Sequence, residues 1–160
     1  MRHDPRCPAF SAEFDGRWDK IWSAMTQPKV KHFCWRAIHD SLPTRVNLYK
    51  RGMEVDVYCP CCGNEYETVM HLFLDCDVAR EFWLKGLFRV QTEDRSRRDF
   101  GDWCVAELVK LDDEKRGLLM NLLCSLWHNG NKWVFEGRRW DIINMINRAV
   151  ELTGGASLLA

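Results

Sequence analysis

Four cysteines and one histidine fall within CPCCGNEYETVMHLFLDC, residues 59–76, and no other stretch restricts the possible folds so tightly. Inside it, Cys59-x2-Cys62-x8-His71-x4-Cys76 has the spacing of a tetrahedral metal site. A C-x2-C turn aims two thiolates at one point, and Gly63 directly after it supplies the backbone freedom such a turn needs. His71 and Cys76 add a nitrogen and a third sulfur, and a Cys3His set suits zinc. Four protein ligands leave no position for water, so the zinc is expected to be structural. Cys61 is not expected to be a ligand, because C-x-C chelates less well than a C-x2-C pair ending on glycine. It is expected to be a small side chain at the tip of the knuckle.

The redox setting supports a metal. The start of the chain, MRHDPRCPAFSAEF, has no apolar stretch of signal-peptide length, and no later segment approaches about 18 uninterrupted apolar residues. The expectation is a soluble, intracellular chain with no membrane partner, where thiols stay reduced and the eight cysteines serve as ligands or core groups rather than disulfides. Cys34, Cys104 and Cys124 lie among apolar residues and read as core thiols. With 160 residues, 46% of them hydrophobic, the chain can bury a real core.

Helical spacing dominates outside the knuckle, and the fold class is expected to be all-α with one small metal module and at most a short hairpin near YCPCC. Trp18, Ile21, Trp22 and Met25 share one helical face. Pro28 opens a second helix with Val30, Phe33, Cys34, Ala37 and Ile38 inward, and Pro43 ends it. Thr44 can cap a third, short helix that Gly52 stops. After the knuckle, Asp75 or Asp77 can cap a helix carrying Ala79, Phe82 and Trp83, closed by Gly86. QTEDRSRRDFGD, residues 91–102, reads as a linker. Its bases Arg95, Arg97 and Arg98, partly offset by Glu93 and Asp94, read as a solvated loop. Beyond it, Leu118, Leu119, Leu122, Leu123, Leu126 and Trp127 form a wide apolar stripe, and Ile142, Ile143, Ile146 and Val150 mark a last amphipathic helix.

Charge is balanced overall, with 23 basic and 23 acidic residues, but not locally. From Pro28 to Gly52, Lys29, Lys31, Arg36, Arg45, Lys50 and Arg51 face only Asp40, a net +5. From Met53 to Glu81, seven acids oppose Arg80 alone, a net −6. Zinc knuckles that bind single strands usually carry bases and aromatics on the knuckle itself, and this one is acidic. If nucleic acid binds, its phosphates are expected along those six bases, with Trp35 or His39 available for stacking. The competing reading is an ordinary solvated helix face. His3, His32 and His128 fit no ligand pattern. Glu65 and Glu67 near His71 could suggest a zinc hydrolase, but a closed ligand sphere argues against an enzyme and against any small-molecule substrate.

The same residues carry a family signature. WDKIWSAMTQPKVKHFCWRAIHDSLPTRVNLYKRG followed by CPCCGNEYETVMHLFLDCDVAREFW resembles the reverse-transcriptase zinc-binding domain of plant non-LTR, LINE-type retrotransposons. Trp18, Trp22, Pro28, Phe33, Trp35, Arg36, the Leu42–Thr44 turn, Cys59 to Gly63, Glu67, Thr68, His71 to Phe73, Cys76 and Trp83 carry the likeness. The resemblance implies a zinc-binding domain over residues 17–88, after an N-terminal tail at 1–16. It also implies a linker at 89–102, a helical extension at 103–153 like the segment preceding ribonuclease H, and a tail at 154–160. In LLCSLWHNGNKWVFEG, Gly130 stands where that segment commonly has an arginine. Neither a ribonuclease H domain nor a Y-x-D-D polymerase pair is seen, so the chain reads as a piece detached from both. The resemblance implies structural Zn2+, no catalysis, and RNA or DNA as partner. A scaffold docking a retroelement polymerase or ribonuclease H protein is the alternative.

Overall fold

The structure is a computed structural model that describes residues 18–86, 88, 99–138 and 141–152. The 1–16 and 154–160 tails and the Arg95, Arg97 and Arg98 loop lie outside the described residues. Among the described residues seven α-helices follow one another: α1 (Trp18–Trp22), α2 (Pro28–Ile38), α3 (Arg45–Lys50), α4 (Asp77–Lys85), α5 (Phe100–Val109), α6 (Asp113–Glu136) and α7 (Ile142–Leu152). A π-helical turn, His71–Asp75, precedes α4. There is no strand among the described residues; the expected hairpin is reduced to one antiparallel bridge between Tyr58 and Tyr66. The architecture is all-α around a small knuckle, as the sequence pattern predicts.

Helix α6 is the centre. It packs on α7, on α2 and on the π-turn, while α5 lies against α2 and α1. From Arg116 to Leu126 every residue of α6 is buried, so the apolar stripe is in fact a full circumference. Two polar side chains on that stretch are satisfied by neighbours. Asn121 accepts from the Thr26 hydroxyl (2.7 Å) and donates to the Ala149 carbonyl (3.4 Å), and the Ser125 hydroxyl donates to the Met145 carbonyl (3.0 Å). A buried polar group without a partner would be costly, and these bonds also fix how α7 lies on α6. Gly117 lets the 25–26 segment cross closely: a Cβ there would collide with the Met25 carbonyl, whose own N–H donates to Asp113 (2.9 Å).

Several local expectations shift. Helix α1 ends at Trp22, so Trp22 and Met25 stay exposed and Ala24 enters the core with Ile21. On α7 the buried face is Met145, Ile146, Ala149 and Val150, leaving Ile143 61% exposed. Helix α5 begins at Phe100, inside the stretch read as linker, because Asp99 caps it by accepting from the Asp102 N–H (2.8 Å) and Phe100 is buried. Neither Asp75 nor Asp77 caps α4; Cys76 holds the cap position and Asp77 is the first helical residue. One buried cluster draws on every helix except α3, so residues on both sides of 89–98 share a core. No helix among the described residues is long and apolar enough to cross a membrane.

Candidate metal centre and basic surface

The Cys59, Cys62 and Cys76 sulfurs and a ring nitrogen of His71 lie within 4.8 Å of one another. Cys59 Sγ is 4.0 Å from Cys76 Sγ, and Cys62 Sγ is 3.4 Å from His71 Nε2. Tetrahedral zinc with ordinary Zn–S and Zn–N bonds requires edges of about 3.8 Å between sulfurs and about 3.5 Å from sulfur to nitrogen. The four residues therefore fit zinc with little adjustment. Cys61 is outside this quartet; half-buried, it packs on the small satellite cluster of Cys59, Cys76 and Ala79.

The knuckle turn is short and well tied. Gly63 adopts a left-handed φ of 70° and its N–H donates to the Cys59 carbonyl (2.8 Å), while the Cys59 N–H donates to the Glu65 carbonyl (2.7 Å). Those two bonds present Cys59 and Cys62 on one side. The other two ligands flank the π-turn. Thr68 Oγ1 accepts from the His71 N–H (3.0 Å), and the Trp83 indole donates to the Phe73 carbonyl (2.7 Å). Within the turn His71 faces the cluster while Phe73 is fully buried against Phe100 and Phe33. Leu74 is buried too, and Leu72 packs only at the core's edge. The extra residue of a π-turn lets neighbouring side chains serve metal and core at once.

Glu67 is a structural residue that ligand spacing alone does not pick out. Its carboxylate accepts from the Arg45 N–H (3.0 Å), an orphan donor at the start of α3, and its carbonyl accepts from Val46 (3.3 Å). Burial pushes its carboxyl above the ordinary glutamate value. The paired capping of α3 by Thr44 and Glu67, and of the π-turn by Thr68, gives the Glu-Thr signature its physical meaning. Thr68-x-x-His71 is the local trace of it in the sequence.

Proton sharing in the cluster also suits a cation. Hydrogen bonds from Cys61 and Cys76 hold the Cys59 thiol far below its ordinary value, whereas donating to Cys59, together with burial, holds Cys76 far above. For His71, burial opposes protonation but the Cys59 and Cys62 sulfurs outweigh it. The Val78 N–H at the start of α4 also favours the Cys76 thiolate. Zinc binding would replace these shared protons by one divalent charge and release them. The three isolated thiols behave differently: burial raises Cys34, Cys104 and Cys124, so they are inert core groups.

The six bases of residues 28–52 do not form one stripe. Lys31 donates to the Trp22 carbonyl (2.7 Å), Arg45 to Asp56 (3.4 Å) and Arg51 to Ser41 (3.2 Å). Lys29, Arg36 and Lys50 are exposed and their side chains have no hydrogen bond or ion pair among the described residues. Lys29 and Arg36, seven positions apart on α2, share a face. The two aromatic candidates are already engaged: the His39 ring packs at 4.0 Å from Trp35 and 5.2 Å from Trp18, and Nδ1 is 2.6 Å from the Trp35 carbonyl. Beside the metal quartet, Asn64, Glu65, Tyr66, Asp75, Asp77 and Arg80 edge an open cleft of about 600 Å3, predominantly acidic.

A helical domain closed around four protein ligands belongs to the class of zinc-stabilised modules in which the metal holds a fold. Residues 7–83 match the family described as zinc-binding in reverse transcriptase, and with the Cys3His cluster this makes the segment a reverse-transcriptase zinc-binding domain. The match ends at Trp83, the indole that closes the π-turn. No curated protein and no solved structure matches the chain.

Proposed function

We propose that the chain is a non-catalytic nucleic-acid-binding module of retrotransposon origin, with Cys59, Cys62, His71 and Cys76 holding zinc for architecture and the basic helices making the contacts. The observation that carries this reading is the separation of charge. Lys29, Arg36 and Lys50 stand exposed without a side-chain hydrogen bond or ion pair among the described residues, whereas the knuckle and its cleft are acidic. Lys31, Arg45 and Arg51 keep their charge at the surface while bonded to backbone carbonyls, and can add to the field. The finer placement, among plant non-LTR elements, rests on the sequence signature.

The test is a titration of the zinc-loaded chain with single-stranded RNA and with duplex DNA at about 50 and about 200 mM salt. With some four phosphates engaged, that rise in salt weakens duplex binding on the order of a hundredfold. No binding at low salt, or binding indifferent to salt, refutes the proposal.

A protein-docking role has its own support in the exposed apolar side chains Leu84 (87%), Phe135 (84%) and Ile143. A retroelement polymerase or ribonuclease H protein is the partner class for this reading. Salt-insensitive complex formation with either, lost in F135S, would favour it over the nucleic-acid reading.

A further inference from the structure

Helical spacing would put Trp22 on an inward face, and His32 fits no ligand pattern, yet the fold leaves both at the surface where α1 meets α2. Trp22 is 41% exposed, and its indole meets the exposed His32 ring at 5.3 Å with 66° between the planes. The Trp22 carbonyl accepts from the Lys31 ammonium (2.7 Å), which fixes that cation beside the pair. On α2, Lys29, His32 and Arg36 follow at steps of three and four, so both exposed bases share the face of the imidazole. At the other end of the same seam the rings are occupied with one another. His39 lies 4.0 Å from Trp35 and 5.2 Å from Trp18, only 19° from parallel to the latter. The Trp22 end differs, because an edge contact covers little of either ring and both residues keep exposed surface. Asp113, an acid bonded into this corner through Ser23 (2.9 Å), is already held by Arg116 (2.6 Å).

We infer that Trp22 and His32 form a stacking site for an unpaired nucleobase, with Lys31 and the Lys29–Arg36 face receiving the phosphates beside it. An ammonium carries three N–H groups, so Lys31 can meet a phosphate oxygen without releasing the Trp22 carbonyl. Exposed rings set among cations suit single strands. In a duplex each base face is covered by its neighbours, whereas an unpaired base can lie on an indole while its phosphates follow the positive charge. The ligand class is therefore single-stranded RNA or DNA, bound through ring faces and backbone charge with little sequence preference. The acidic knuckle, whose exposed tyrosines lack such cations beyond Arg80, is left out of the path of the strand.

This inference rests on the nucleic-acid reading, and the experiment separates the two. Zinc-loaded wild type, W22A, W22F, H32A, R36Q and Y66A are titrated across salt, with melting curves to confirm folding. The probes are labelled thymidine and uridine oligomers of about 12 nucleotides, an abasic oligomer of equal length, and duplex DNA. The wild type is expected to bind the base-bearing strands about tenfold tighter than the abasic one. W22A should remove that preference and leave the log–log salt slope unchanged. W22F, which keeps a ring, should retain most of the preference, and H32A should lose part of it. R36Q should do the reverse, lowering the slope by about one with the preference intact. Y66A, whose 56% exposed ring edges the acidic cleft, should change nothing. Should W22A unfold, H32A on the surface of α2 carries the same test. The proposal stands if these variants weaken either base-bearing strand, and the tighter of the two names the sugar. Equal wild-type binding of abasic and base-bearing strands, a preference for duplex, or full preference in both W22A and H32A overturns this site and leaves the broader proposal standing. No wild-type binding to any probe overturns both.

Discussion

From Arg116 to Leu126, α6 is buried on every side, whereas from Met53 to Thr68 only Cys59 and Glu67 are buried. The first region has the apolar area to hold itself together. The second has one bridge, backbone hydrogen bonds donated by Cys59, Gly63, Glu67 and Thr68, and a satellite cluster built largely of cysteines. A segment this poor in apolar contacts cannot offset its conformational entropy by burial, so the metal must supply the difference. Metal and core are therefore alternative solutions to one problem within the same chain. The π-turn joins them, since His71 serves one and Phe73 the other.

Chelation should break this comparison most visibly. Structural zinc contributes on the order of 10 kcal/mol or more in small zinc-dependent folds at neutral pH. Removing it is expected to abolish hydrogen-exchange protection over residues 57–72 while residues 118–126 remain protected. Exchange lost at equal rates in both segments would show a single cooperative unit. F73A should come next, costing about 3–5 kcal/mol in urea unfolding, because it opens a cavity against Phe33 and Phe100. Because Phe73 shares a turn with His71, weaker zinc retention is expected along with the lost stability. Unaltered zinc retention would mean that the turn does not transmit.

The parts legible in the sequence are those fixed by local rules. Ligand chemistry depends on residue type and spacing, so Cys59, Cys62, His71 and Cys76 could be read directly, and helical period located α2, α4 and α6. What could not be read depends on which neighbour each element meets. Helix α7 has Met145, Ile146, Ala149 and Val150 on one face with Ile143 off it, and the bonds from Asn121 and Ser125 to its backbone seat that face on α6. Cys76 displaces Asp75 and Asp77 as the α4 cap because the π-turn adds a residue, which periodicity does not encode.

Outside the π-turn, the Trp133 indole of α6 also ties the two regions by donating to the Pro60 carbonyl inside the knuckle (2.8 Å). W133F keeps an aromatic ring but removes the donor, and is expected to cost about 1 kcal/mol. The expected signature is faster exchange at Cys59–Gly63 with α6 unchanged. If exchange in the knuckle does not move, the π-turn alone carries the coupling.

The smallest effect sharpens how the knuckle meets α3. E67A leaves the Arg45 N–H without its acceptor and should cost about 1 kcal/mol, as loss of a helix cap does. E67Q retains an oxygen acceptor and should cost less, but it removes a titration. Because burial raises the Glu67 carboxyl above 4.5, the folded state holds that proton more tightly than the unfolded chain. The stability this gives is full below pH 4.5 and is lost as pH rises through the raised folded value. The wild type should therefore decline relative to E67Q across that interval and run parallel to it at neutral pH. Comparing the two zinc-loaded proteins cancels the titration of the metal ligands they share. Parallel curves over the whole range would mean that Glu67 is not desolvated, and that the α3 junction is looser than its hydrogen bond implies.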